Sequence, residues 1–189
     1  MSDTHMTGPR IEQGRIIPRI YVASLADYNA NRLVGRWIEA NQPPERLQRA
    51  IDEMLAESKE EVAEDWAIHD YEGFGRWRPS EFEDLETISR VAVAIGTHGE
   101  LFSEVLHHCD DEIDRAIQLL QECHSGPYNS PADYASELFE DCYSKELEAL
   151  PSVVRWAIDW EVVASELELS GDVLIIRHKH AFHVFDGHA

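Results

Sequence analysis

The sequence has few cysteines, few basic residues and no long apolar run. Its three cysteines, Cys109, Cys123 and Cys142, are odd in number and lack C-x-x-C spacing, which is typical of reduced, mostly buried thiols rather than of a disulfide framework. The longest apolar stretches, such as VAVAI and VLII, are far shorter than the roughly 18 residues of a membrane helix. No secretion signal opens the chain, so we expect a cytoplasmic protein without a membrane partner.

The shortage of basic residues leaves a large negative charge. Sixteen Lys and Arg stand against 37 Asp and Glu, for a formal net charge of −21. Residues 52–168 alone hold 30 acidic and 7 basic residues, a net −23. Such a protein is repelled by nucleic acid and by anionic membranes, so its expected partner is a basic protein surface or a cation.

Local patterning predicts an α+β fold of three domains. Residues 1–15 are polar without an apolar period and are expected to form a disordered leader. The runs RIYVASL (19–25) and RLVGRWIEA (32–40) predict a hairpin, PPERLQRAIDEMLAES predicts a helix, and DWAIHDYE predicts a closing strand. Together they predict a small antiparallel β-sheet domain over residues 16–72.

The pattern changes to helices after GFGRWRPS, whose glycines and proline predict a linker. Ser80 and Glu83 have the S-x-x-E spacing of a capping box, and Asp110 is the expected cap of a later helix. Residues 73–124 are therefore predicted to be a helical bundle domain.

A mixed α/β domain is predicted over residues 125–189. HSGPYNSP is expected to be a break in the chain, and Ser130 to start a helix that buries Cys142. LPSVVRWAIDWEVVASEL predicts another helix, and GDVLIIRHKHAFHVF predicts a terminal hairpin that turns near Lys179.

Histidines and one cysteine are the candidates for metal ligands. They are His178, His180 and His183 in the terminal hairpin and His107, His108 and Cys109 at a helix end. No further ligand follows at a fixed offset and no H-E-x-x-H occurs, so we predict no metal site and no cofactor.

The pair His69 and Asp70 is the candidate for acid–base catalysis. Neighbours on a strand point to opposite faces, which favours a structural role for His69. No G-x-S-x-G, Walker or G-x-G-x-x-G motif occurs. We therefore predict no catalytic residues and a protein that is not an enzyme.

Carboxylates repeated along successive segments are the main functional signal. Each run alone is typical of a solvated helix face, but together they have few basic partners and resemble a row of phosphates. Duplex DNA carries one charge per about 1.7 Å, so the net charge of one chain corresponds to roughly 36 Å of duplex. We call the candidate DNA-mimicking residues the acidic set. They are Glu57, Glu60, Glu61, Glu64, Asp65, Asp70, Glu72, Glu81, Glu83, Asp84, Glu86, Glu100, Glu104, Asp110, Asp111, Glu112, Asp114, Asp133, Glu137, Glu140 and Asp141.

The order of motifs also resembles a known family. YVASLADYNANRLVGRWIEA, WAIHDYEGF, DYASELFEDCY, LPSVVRWAIDWEVVASELELSG and a closing HVF resemble the ArdA family of antirestriction proteins. The resemblance implies a DNA mimic from mobile genetic elements, acting in the bacterial cytoplasm. It implies occupation of the DNA-binding channel of type I restriction-modification enzymes, in the methyltransferase core and the full complex, with inhibition of cleavage and methylation.

The resemblance also implies an elongated chain of three small domains that forms a homodimer through the C-terminal domain. Tyr128 and Tyr134 are the residues expected at the dimer interface. The leader and the histidine-rich hairpin are not features of the family. Two alternatives stay open, an acidic adaptor that binds another basic protein and, less favoured, a zinc-dependent enzyme.

Overall fold

The computed structural model describes residues 10–12, 15–60 and 62–188, with side chains from residue 16 onward. Its contacts divide the chain into two compact units, which join between Ile113 and Asp114. The α+β class is confirmed, because the described residues form nine α-helices and small antiparallel sheets. The predicted arrangement of three domains is not confirmed.

Two short strands, β1 (Arg10–Glu12) and β2 (Arg15–Ile17), pair antiparallel near the start of the chain. A disordered leader over residues 1–15 was expected, and this expectation is wrong for residues 10–12 and 15. The rest of the predicted leader, residues 1–9, 13 and 14, lies outside the described residues.

A three-stranded antiparallel sheet forms the centre of the first unit. Its strands are β3 (Arg19–Ser24), β4 (Gly35–Glu39) and β5 (Trp66–Glu72), in the order β4-β3-β5. The predicted hairpin and closing strand are thus confirmed, because their β-branched residues fill the core. The expected turn after β3 contains a short helix, α1 (Leu25–Asn29).

Three longer helices complete the first unit: α2 (Pro44–Leu55), α3 (Leu85–His98) and α4 (Leu101–His108). α3 buries residues on a broad face and contacts α2, α4 and β2, so the predicted helical segment belongs to the same compact unit as the sheet. The predicted cap at Ser80 is wrong. Asp84 caps α3 instead, accepting from the Thr87 N–H at 3.0 Å.

The loop between β5 and α3 needs glycine at position 75. Gly75 has φ of +62°, and a Cβ there would lie 2.2 Å from Ser103 Oγ of α4. That hydroxyl accepts from the Arg76 N–H at 3.0 Å and anchors the loop to α4. Gly75 of the GFG sequence is therefore explained by its backbone conformation and its close packing against α4.

The second unit begins with a helix, α5 (Ile113–Gln118), whose first residue lies at the division, and a π-helical turn at Leu119–Cys123. The predicted Asp110 cap is wrong, since α5 begins three residues later and Asp110 has a left-handed φ of 52°. The remaining elements are β6 (His124–Tyr128), α6 (Pro131–Cys142), α7 (Ser144–Ala149), α8 (Ser152–Trp156), α9 (Trp160–Ser170), β7 (Val173–His178) and β8 (Ala181–Asp186).

An antiparallel sheet in the order β6-β8-β7 carries the core of the second unit. The terminal hairpin is confirmed, with Lys179 at the turn (φ 55°). Ser130 and Asp133 form a capping box at the start of α6, as the helix start predicted. Three expectations are wrong. HSGPY is strand β6, Cys142 is exposed, and the helix expected over LPSVVRWAIDWEVVASEL is divided into α8 and α9.

Candidate functional site: a surface of carboxylates

The acidic set lies on the surface of both units. Its described members are exposed except for four that are half-buried, Glu72, Glu83, Glu100 and Glu104. Glu61 lies outside the described residues. Members of the set occur in both units. Their exposure is expected, because charged side chains have no role in an apolar core.

Arginines pair with some members of the set. The ion pairs are Arg36 with Glu57, Arg32 with Glu60, Arg19 with Glu72 at 2.7 Å, and Arg76 with Glu104 at 3.2 Å. The expectation that basic partners are scarce therefore fails at these four positions. Within the first unit some carboxylates of the set are therefore paired internally.

Two members of the set have a structural task at helix starts. Asp84 caps α3, and Asp133 accepts from the Ser130 N–H at 3.1 Å in the capping box of α6. Both side chains are exposed, and the helix dipole favours a negative charge at a helix N-terminus, so they serve the fold while facing solvent. Helix capping alone therefore accounts for an acidic residue at these two positions, without a protein partner.

Most exposed members have no ion pair with any residue that the structure describes. These are Glu64, Asp65, Asp70, Glu81, Asp84, Glu86, Asp110, Asp111, Glu112, Asp133, Glu137, Glu140 and Asp141. Carboxylates that do not pair internally leave a strong negative field at the surface. This surface is suited to bind a complementary array of Lys and Arg.

An open cavity of about 860 Å³ lies within the acidic surface of the first unit. Its lining includes Trp66, the carboxylates Glu45, Glu83 and Glu86, and Arg90. An aromatic ring beside carboxylates is a favourable environment for an ammonium or guanidinium group. The sequence suggested no cavity here, because Trp66 reads as an ordinary strand residue.

The histidines predicted as possible ligands do not assemble a metal site. Among residues 16–60 and 62–188, no group of three or more His, Cys, Asp or Glu side chains could hold a metal ion. His180 lies exposed at the hairpin turn, and His107 and His108 lie exposed at the end of α4. His183 instead contacts His124, with 3.0 Å between its Nδ1 and Nε2 of His124. Burial lowers the pKa of both histidines.

His69 packs against an aromatic ring. It is the unpaired residue of a bulge in β5, because Tyr21 pairs with Asp70 and Val22 with Ile68. Its ring lies 4.9 Å from that of Tyr28 in an edge-on contact. The strand alternation predicted for β5 is broken at this bulge, and the structural role predicted for His69 is consistent with the contact.

The two tyrosines expected at a dimer interface pack against each other within one chain. Tyr128 and Tyr134 make an edge-on contact at 5.2 Å, and Tyr134 is 9% exposed in a core cluster with Val173 and Val184. This burial leaves the ring of Tyr134 little surface for a partner. Their role at an interface stays a prediction.

A different part of the second unit exposes apolar side chains. We call Leu150, Val153, Val154 and Trp156 the apolar patch, and Trp156 is 84% exposed. An adjoining cavity of about 480 Å³ is lined by the same tryptophan and by Arg155, Glu140 and Glu148, among others. The sequence prediction missed this patch because it treated the segment as part of one amphipathic helix.

No helix in the described part of the chain has the length and apolarity needed to cross a membrane.

The sequence matches the model of one protein family, described as Antirestriction protein (ArdA), over residues 20–182. A comparison with curated proteins finds no match.

Proposed function

The chain belongs to the ArdA family of antirestriction proteins, and from this premise we propose that it is a DNA mimic that inhibits type I restriction-modification enzymes. In this proposal the acidic set occupies the DNA-binding channel of the methyltransferase core and of the full complex. The enzyme then neither cleaves nor methylates DNA while it is occupied. The protein would act in the cytoplasm of a bacterial host.

The exposed carboxylates that form no ion pair with a described residue carry the proposal. They lie on both units and recur along the chain from Glu64 to Asp141. A channel that binds DNA neutralises phosphates with Lys and Arg, and those side chains can make charge-assisted hydrogen bonds to carboxylates. The carboxylates supply charge without bases to read or a backbone to cleave.

Inhibition of this kind is stoichiometric and competitive. Counterions are released when the two charged surfaces meet, so binding weakens steeply as salt increases. No bond is made or broken, which agrees with the absence of recognised catalytic motifs in the sequence.

The cavity beside Trp66 offers a site for one basic side chain of the target. The indole and the carboxylates of Glu83 and Glu86 together suit a guanidinium group, which can stack and donate at once. Such a contact would fix the position of the protein on its target, which the distributed charge interactions alone would define less sharply.

We also propose that the protein forms a homodimer through the apolar patch of its second unit. In a two-fold dimer the same patch meets itself, so it must be self-complementary. The patch and its adjoining cavity combine exposed Trp156 with Arg155 and with the carboxylates of Glu140 and Glu148. An arginine of one copy can therefore face a carboxylate of the other.

The decisive experiment measures the plating efficiency of unmodified phage on a host with a type I restriction system, with and without this gene. The proposal predicts higher efficiency with the gene, and competition between duplex DNA and the purified protein for the methyltransferase core. Unchanged plating with a stable complex to an unrelated basic protein would favour the adaptor alternative. An enzyme complex that duplex DNA does not disrupt would contradict mimicry.

A further inference from the structure

Asp27 is a carboxylate that takes no direct part in the acidic surface, because it is fully buried. It lies in α1 and accepts hydrogen bonds from three side chains. Ser24 Oγ donates to its Oδ2 at 2.9 Å, Arg32 Nε donates to its Oδ1 at 3.2 Å, and Ser58 Oγ also donates to Oδ2. The hydrogen bond from Ser58 is the largest cause that keeps the pKa of Asp27 below its usual value.

Two of these donors also hold Glu60, a member of the acidic set. Ser58 Oγ accepts from the Glu60 N–H at 3.0 Å, and the Arg32 guanidinium donates to the Glu60 carboxylate. One buried carboxylate therefore orders the backbone and the side chain of an exposed one. Because Arg32 balances the charge of Asp27, the cluster retains one net negative charge, which Glu60 displays.

The segment that contains Glu60 has no regular structure of its own. It connects the end of α2 to the start of β5, and apart from Glu61 its residues are described as turns, bends or coil. At its start the N–H groups of Ala56, Glu57 and Ser58 donate to carbonyls of α2, and Arg36 forms an ion pair with Glu57. At its end the Leu25 N–H donates to the Asp65 carbonyl at 3.0 Å. A free connection of this kind would lose conformational entropy on binding.

We propose that Asp27 is a positioning residue, which through Ser58 and Arg32 holds residues 58–60, and with them the Glu60 carboxylate, in the conformation that contacts the target enzyme. The segment then loses its conformational freedom when the chain folds and not when it binds. This inference rests on the proposed function, since it assigns a task to carboxylates of the acidic set.

The substitution Ser58→Ala tests this role because it removes the link to Asp27 and keeps every charge. We expect faster amide hydrogen exchange at residues 58–60, a cooperative thermal transition, and inhibition of a type I enzyme that is weaker by roughly three- to tenfold at low salt. Ser58→Thr restores the hydroxyl and should restore both measurements. The matched control, Ser165→Ala on the exposed face of α9, should change neither.

The outcomes separate this inference from the proposed function. If wild-type protein does not inhibit the enzyme, the proposed function fails and the positioning role fails with it. If wild-type protein inhibits and Ser58→Ala inhibits equally despite faster exchange, only the positioning role is overturned. Unchanged exchange in Ser58→Ala would also overturn it, because Asp27 would then not order the segment.

Discussion

Arg19 donates from both Nε and Nη2 to the same Glu72 oxygen, each at 2.7 Å. The two residues pair directly across β3 and β5, and both side chains are about four-fifths buried. The Arg19 guanidinium also lies 4.6 Å from the centre of the Trp37 ring on β4. Glu72 on β5 is thus tied to Arg19 on β3, which in turn contacts β4, so this member of the acidic set has a structural role in the first sheet.

Glu72→Gln should lower the free energy of unfolding by about 1–3 kcal/mol, because a neutral amide replaces the carboxylate that accepts from a largely buried guanidinium. The measurement is urea denaturation followed by tryptophan fluorescence. Glu81→Gln removes an equal charge at an exposed position and should stay within about 0.5 kcal/mol of wild type. Equal stabilities for the two variants would show that the Arg19 contact contributes nothing.

The strands of the three-stranded sheet in the first unit could be predicted from sequence, but β1, β2 and several other features could not. β3 and β5 have β-branched residues between clear turn signals, and these residues fill the core. β6 contains Gly126 and Pro127, which are typical of a linker. It is an edge strand paired only with β8, and an edge tolerates a residue that lacks an N–H donor.

Part of the candidate site was likewise accessible from sequence. Exposure of the acidic set follows from composition and helical period, and it agrees with the structure for most described members. The ion pairs of Arg32 and Arg36 join residues more than 20 positions apart, so no local pattern could reveal them. The burial of Asp27 could not be predicted either. DYNAN has the composition of a simple turn, and the donor Ser58 lies 31 positions away along the chain.

Removing several solvent-facing carboxylates together should weaken inhibition, whereas single substitutions should have little effect. The triple variant Glu64→Gln, Glu81→Gln and Glu86→Gln removes three such charges from the first unit. We expect weaker inhibition and a shallower dependence of the logarithm of affinity on the logarithm of salt concentration. A matched triple variant on α9, at Glu161, Glu166 and Glu168, alters net charge equally outside the acidic set. Equal losses in both would indicate that only total charge matters.

Trp156→Asp should shift the protein toward monomers if the apolar patch forms the dimer. A central exposed tryptophan is the kind of residue that dominates an interface, so we expect the dimer dissociation constant to rise by roughly tenfold or more. Sedimentation velocity across a concentration series gives this constant. Leu169→Asp, at another exposed apolar residue of the second unit, serves as the control. A Trp156→Asp protein that stays dimeric would place the interface elsewhere.

The contact between His124 and His183 predicts that acid destabilises the second unit. Burial lowers the pKa of His124. Burial is also the largest cause of the lowered pKa of His183, and the nearby charges of His124 and His178 lower it further. The unfolded chain therefore binds more protons than the folded one once the pH falls below about 6.5, the ordinary histidine value. Stability is full above that pH and is lost as the pH falls toward the lowered folded values.

Thermal unfolding between pH 8 and pH 5 measures this loss. Wild type should show a fall in Tm of roughly 2–8 °C over this range that His183→Gln reduces, because glutamine keeps a polar group beside His124 without titrating. His180→Gln, at the exposed hairpin turn, should retain the wild-type pH profile. If His183→Gln and wild type lose Tm in parallel as the pH falls, the acid sensitivity does not come from this pair of imidazoles.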